Sequence, residues 1–175
     1  MATALDVCRY IRSTRAFSGE VQAQKLVYYC QAWSLAWDGR PLFPERVEAW
    51  TMGPVVPAIR HRTDEDGDFN LTDSEKATVD AVVSHYGQSH GQALGAQSHS
   101  QAPWLVARGE TPEGVPSSAE ITHESMRHWA TEEALAGHGP QRLRTATTDV
   151  EDAEVLAVAG VNADRWQRVL ELLAR

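Results

Sequence analysis

Residues 20–37, which read EVQAQKLVYYCQAWSLAW, form a long apolar stretch with helical spacing. Five of its side chains recur at positions that share one helix face: Leu26, Tyr29, Cys30, Trp33 and Trp37. Val27, Tyr28 and Leu35 widen that face, and a helix that is apolar over so broad an arc is a buried one. The pattern predicts a central helix over 20–37, with Ser18 as its N-cap.

Shorter elements are predicted on both sides of this stretch. Residues 47–50 form a short extended run, and Gly53 and Pro54 have turn chemistry. A capping box from Thr72 to Glu75 opens a helix that ends near Gly87. The remaining helices are predicted over residues 4–13, 55–62, 92–97 and 121–135, with a further helical turn at Pro103-Trp104.

These elements predict a mainly α fold: a single helical domain around a central apolar helix, with a short extended segment. The glycine-rich stretch at 137–140 marks its end, so the domain is expected to cover residues 1–136. Residues 137–175 are expected to form a C-terminal helical extension, whose last helix follows an Asn162 cap and carries Trp166.

Length, charge and cysteine content limit the class of protein. A chain of 175 residues suits one domain with a sizeable core. The formal charge of -8 is the wrong sign for a phosphate backbone, which disfavours nucleic acid as a partner. The sequence has no apolar span for a membrane and no signal-peptide pattern, so a cytoplasmic protein is expected. Cys8 and Cys30 lie in apolar helical patterns, which indicates reduced core thiols.

The acidic stretch from Asp64 to Asp80 nearly fits a calcium-binding loop. Asp64, Asp66, Asp68 and Glu75 have the spacing of its ligands, but Phe69 stands where the sharp turn needs glycine. A solvated acidic surface loop is therefore the favoured interpretation.

Catalytic and metal-binding patterns elsewhere are weak. The seven histidines form no HExxH pair, and the chain has no CxxC, so no metal or cofactor is expected. Ser98 and His99 are the residue types of a nucleophile and its base, but neighbours in sequence rarely meet as such a pair. His99 is more simply a residue that fixes the turn before Pro103. Trp33 and Trp129 are expected in the core, whereas Trp37, Trp50 and Trp166 lie near element ends, where an interface role is equally open.

Three motifs in order resemble a known family, and a fourth follows them. They are QKLVYYCQAW at 24–33, GRPLF at 39–43, EAWTMGPVVP at 48–57 and HSQAPW at 99–104. Together they closely resemble the Panacea domain, also called the SocA-like or GepA-like domain, over residues 4–136. Cys30 stands where the family usually has alanine, and Gln101 replaces its usual acid, so a charge-based role for that segment is in doubt.

The resemblance implies a mainly helical antitoxin that neutralises a co-encoded protein toxin, usually by direct binding. Some relatives act instead as adaptors that deliver the toxin to a protease, and an adaptor role stays open. The family pairs with unrelated toxins, so the domain does not identify the toxin. A metal-dependent or hydrolytic enzyme and a DNA-binding repressor are the two competing functional classes.

The motifs also imply a candidate partner-binding face without catalytic residues. Its expected members are Lys25, Trp37, Glu48, Trp50, Gly53, Pro54, His99, Trp104 and, in the extension, Trp166. Lys25 and Glu48 have the signs of an ion pair that ties the central helix to the extended segment. A structural role for these residues is an equally open interpretation.

Overall fold

The computed structural model describes residues 1–112 and 114–142. Six α-helices occupy most of this part: α1 (Ala4–Thr14), α2 (Glu20–Asp38), α3 (Asp73–Tyr86), α4 (Gly91–His99), α5 (Ala102–Arg108) and α6 (His123–Ala136). Three short strands accompany them: β1 (Val47–Trp50), β2 (Gly53–Val55) and β3 (Glu120–Ile121). The strands form an antiparallel sheet in the order β2-β1-β3. The predicted mainly α class is confirmed.

Helix α2 is the centre of the domain. Every residue from Gln22 to Leu35 is buried, and α1, α3, α4 and α6 all pack against this helix. The helix ends where expected, because Gly39 adopts a left-handed conformation with φ 66°. Its start differs from the expectation: the N-cap is Gly19, and the Ser18 backbone N–H donates instead to Gln22 Oε1 at 2.7 Å.

Aromatic side chains fill the core beside α2. Trp33 and Trp129 are 0% and 6% exposed, as predicted, and the Tyr29 and Tyr86 rings stack at 4.1 Å. Both cysteines are buried free thiols, which confirms their predicted place in the core. Burial raises the pKa of the Cys8 thiol to about 12, so it is inert at neutral pH.

The predicted helix over 55–62 is wrong. Gly53–Val55 is strand β2, paired with β1, and only a single 3₁₀ turn, Pro57–Ile59, follows it. The turn itself is Thr51-Met52 rather than Gly53-Pro54. Two consecutive β-branched residues before Pro57 favour extended backbone, and proline lacks the N–H that a longer helix needs.

The last helix of the domain also begins later than predicted. Ile121 belongs to β3 and pairs with Val47, and α6 begins at His123 after the Thr122 N-cap. The Thr122 hydroxyl accepts a hydrogen bond from the Ser125 backbone N–H at 3.2 Å. Such a cap has extended backbone, so it separates a strand residue from a helix within two positions.

The acidic stretch is held by arginines of α1. Arg12 Nε lies 2.7 Å from Asp66 Oδ1, and Arg9 Nη2 lies 3.5 Å from Glu65 Oε2. Glu75 closes the predicted capping box of α3 with Thr72. In the part of the chain that the structure describes, three or more potential metal ligands nowhere cluster.

The compact unit that contains these elements extends from Met1 to Arg142. Within it, none of the described helices is long and apolar enough to cross a membrane. The expected Asn162 cap, the final helix and Trp166 lie outside the described residues, and the expected boundary at 136 stays a prediction.

Candidate partner-binding surface

Lys25 of α2 anchors the hairpin that β1 and β2 form. Its side chain extends from a buried face of α2 toward the hairpin and is only 1% exposed. The ammonium Nζ donates to the backbone carbonyls of Met52 at 2.6 Å and Pro54 at 2.9 Å. Burial lowers the pKa of Lys25 to about 7, because a charged amine loses hydration there without gaining a carboxylate partner.

Gly53 leaves the space that the ammonium needs. Its φ is +93°, and a Cβ at this position would lie 2.8 Å from both Lys25 Nζ and Ser98 Oγ. Both the backbone conformation and the close approach therefore require glycine. Lys25 and Gly53 together hold the hairpin against α2.

The predicted ion pair between Lys25 and Glu48 is wrong. Glu48 Oε1 lies 2.5 Å from Arg46 Nη2, and its Oε2 accepts from Trp50 Nε1 at 2.6 Å. The lysine is directed at the hairpin turn, whose carbonyls converge on it, whereas the carboxylate bonds to neighbours along its own stretch of chain. Opposite charge alone did not determine these partners.

The segment from His99 to Trp104 supports the hairpin from the other side. The His99 and Trp104 rings stack at 4.5 Å, and Trp104 Nε1 donates to the Trp50 carbonyl at 2.9 Å. Arg108 covers the Trp104 ring at 5.0 Å and donates to the Ala49 carbonyl. Helix α5 therefore fixes the end of β1.

The structure brings most of the expected face together at the hairpin, but largely in the interior. Five of its members are buried: Lys25, Glu48, Gly53, Pro54 and Trp104. Trp50 and His99 are half-buried. Trp37 lies twelve residues beyond Lys25 on the same helix, about 18 Å away along its axis. It packs against Trp33 and Arg142 instead.

Exposed residues next to these motif positions form the outer surface together with the half-buried Trp50. We call this the hairpin surface: Val21, Trp50, Met52, Arg60 and His61. Met52 at the turn is 64% exposed and Val21 is 38% exposed, which is unusual for large apolar side chains this close together. Arg60 lies over the Trp50 ring at 4.8 Å.

Two grooves flank the turn, and Trp50 and Met52 line both. The first, about 150 Å³, lies between α2, β2 and the 3₁₀ turn. The second, about 420 Å³, lies between β1 and the loop at 116–118. The turn is thus a ridge between two concave surfaces, a shape suited to contact with another protein.

The sequence did not lead us to predict that three glutamines of α2 hold the neighbouring loops. Gln22 donates to the carbonyls of Gly87 and Ser89. Gln31 bonds to the backbone of Leu42 and Phe43. Gln24 takes both backbone groups of Val56, accepting from its N–H at 2.8 Å and donating to its carbonyl at 3.4 Å. Their signal was present in the sequence, because a polar residue inside a helix buried all round must find a partner.

The fold and this surface define a small, mainly helical domain whose buried motif residues hold a β-hairpin. Residues 24–105 match the family model described as "Antitoxin SocA-like, Panacea domain". The matched span includes all four motifs quoted above, so the predicted resemblance to the Panacea domain is confirmed over these residues. Comparisons with curated proteins and with solved structures gave no match.

Proposed function

We propose that this protein is an antitoxin that neutralises a co-encoded protein toxin by binding it directly, without chemistry of its own. The observation that carries the proposal is the match of residues 24–105 to an antitoxin family. That span holds the whole β1–β2 hairpin and most of α2, the helix that anchors it.

The hairpin surface supports a protein as the partner. It combines an exposed methionine, a half-buried tryptophan and an arginine, and these residue types are enriched where proteins bind each other. The formal charge of -8 opposes binding to nucleic acid. His99, the candidate base of a hydrolase, has its ring stacked on Trp104, which gives it a structural purpose. Reduced buried thiols suit the cytoplasm as the compartment of this complex.

Co-expression with the adjacent open reading frame tests the proposal. We expect the neighbour alone to arrest growth, and this protein to relieve the arrest and co-purify with the neighbour as a stable complex. Relief that needs a cellular protease and lowers the toxin level would identify an adaptor instead. An inert neighbour would contradict the proposal.

A folding-deficient variant provides the control. Ala32→Pro breaks α2 at its buried centre, where proline costs about 3 kcal/mol or more. The variant should leave the growth arrest unchanged. Relief by this variant would show that the effect does not need the folded domain.

A further inference from the structure

The smaller groove beside the hairpin has an apolar floor. Val21, Trp50, Met52 and Val55 line it, and its volume is about 150 Å³. A cavity of about this size in a protein core holds one benzene molecule. The groove therefore has room for a single leucine- or phenylalanine-sized side chain.

The exposed rim of this groove carries one cation, Arg60, and one histidine, His61, although the chain carries -8 overall. The third ionisable residue that lines the groove, Lys25, is buried, and its ammonium is bonded to two backbone carbonyls. The fourth, Glu20, is already bound: its Oε1 accepts from the His61 backbone N–H at 2.8 Å. Among the described residues, no carboxylate lies within 4.0 Å of the exposed Arg60 guanidinium. An occupant with a carboxylate beside its apolar group matches this rim.

His61 is held at the rim in a strained conformation. Its φ is 60°, the one positive value for a non-glycine residue in the described chain, and its side chain is 73% exposed. Glu20 fixes both its backbone and its ring, with Nδ1 3.6 Å from Glu20 Oε2. Strain of this kind persists only where surrounding contacts enforce it, and it is concentrated at binding sites.

We propose that this groove binds one apolar side chain of the toxin, and that a toxin carboxylate next to that side chain binds Arg60 and His61. The proposal rests on the proposed antitoxin function and specifies its contact. The buried motif residues then hold the surface in shape, while their exposed neighbours make the contact.

The test measures the Kd of the full-length chain for the purified neighbouring toxin by calorimetry. Met52→Glu places a charge at the mouth of the groove, and Arg60→Glu reverses its rim. Each should weaken binding about tenfold or more, because each removes a contact at the centre of the interface. Arg60→Lys keeps the charge and should retain most of the affinity.

Two matched variants on α6 provide controls. Leu135 is 84% exposed, so Leu135→Glu makes an apolar-to-acid change comparable to Met52→Glu on another surface. Arg127 is also exposed, and Arg127→Glu repeats the charge reversal of Arg60→Glu. Both should keep the Kd within about twofold of the wild-type value. Urea unfolding of each variant confirms that it is folded.

The salt dependence of the Kd distinguishes loss of the carboxylate contact from a change in the shape of the groove. The difference in affinity between Arg60→Glu and wild type should narrow from about 50 mM to about 500 mM salt, because exposed charges are screened. The effect of Met52→Glu, which disrupts apolar packing as well, should persist in part.

Each failure has a distinct result. Wild-type binding that both hairpin variants keep within about twofold would overturn the groove and leave the antitoxin function standing. A wild-type chain that neither binds nor neutralises the toxin would overturn both. A dimer of the chain alone that Met52→Glu dissociates would make a second copy the occupant and overturn the inference.

Discussion

At the scale of single residues, Lys25 is the most informative side chain of the domain. Within the part of the chain that the structure describes, its ammonium is bonded to backbone carbonyls and not to a carboxylate. Carbonyl oxygens accept hydrogen bonds from an amine whether or not it carries a charge. Their hydrogen bonds therefore offset only part of the cost of burying the charge, which is consistent with the pKa of about 7.

This arrangement predicts a pH dependence of stability. The unfolded lysine keeps its proton up to about pH 10.5, whereas the folded one loses it near pH 7. Between these values the unfolded state binds more protons, so the free energy of unfolding rises with pH. We expect a gain of about 2 kcal/mol from about pH 7 to about pH 9 relative to Lys25→Met.

Urea unfolding of both proteins across this range measures the effect. Above this range the buried thiols Cys8 and Cys30, whose pKa values burial raises, produce the opposite trend in both proteins. Equal slopes for wild type and Lys25→Met would show that the lysine is not buried in this way.

Gly53 gives a second prediction at this scale. Gly53→Ala forces a Cβ against the lysine ammonium at a φ of +93° and should lower the free energy of unfolding by about 2–4 kcal/mol. Gly39 also has a positive φ, of +66°, but has open space around it. Gly39→Ala should cost about 1–2 kcal/mol from the backbone alone. Similar losses for the two variants in urea unfolding would rule out a close approach at Gly53.

At the scale of elements, α2 holds the loops around it by side-chain amides. Gln24 satisfies the N–H and the carbonyl of Val56, which is fully buried. Gln24→Leu leaves the Val56 N–H without a partner, whereas the Val56 carbonyl still accepts from the Ile59 N–H at 3.2 Å, and should cost about 1–3 kcal/mol. Gln92→Leu, on the exposed face of α4, should change stability by less than about 0.5 kcal/mol.

Urea unfolding measures the loss of stability, and amide hydrogen exchange measures the loss of protection at Val56. In Gln24→Leu the Val56 amide should exchange faster than the other amides of the hairpin. Exchange that stays as slow as in wild type would mean that another group holds Val56.

Local patterns predicted the elements whose causes are local. The spacing in α2 and the capping box at Thr72 each act within a few residues, and each is confirmed. Strand β3 depends on pairing between Ile121 and Val47, which are far apart in sequence. The arginines of α1 that hold the acidic loop, and the carbonyls that bind Lys25, are likewise brought together only by folding.

The candidate surface also combines features that the sequence predicts with features that depend on folding. The resemblance identified the motif residues of the hairpin. It could not predict that they are buried, because the sequence pattern does not show which neighbours cover them. Met52 lies inside the motif at 48–57 and Arg60 follows it by three residues, and neither had a signal of its own. Their exposure is a property of the assembled hairpin.

At the scale of the whole molecule, the compact unit ends at a residue that is tied to it. Arg142 Nη1 lies 2.6 Å from Asp38 Oδ1, and its Nη2 donates to Ser74 Oγ at 2.7 Å. A chain ending at Arg142 should therefore unfold cooperatively and bind the toxin within about threefold of the full-length affinity, since the hairpin surface is intact. A larger loss would place a contact in residues 143–175, where Trp166 is the first candidate.

Helix α2 has one further consequence for how such a chain can change. Its inward-reaching amides and lysine set the shape of the hairpin, whereas Val21, Met52 and Arg60 contribute little to the core. Substitutions at those outer positions leave the scaffold intact, so recognition can be rewritten while the architecture is inherited unchanged. In the proposed contact, most residues that face the partner are therefore not the residues that hold the fold, and Trp50 belongs to both sets.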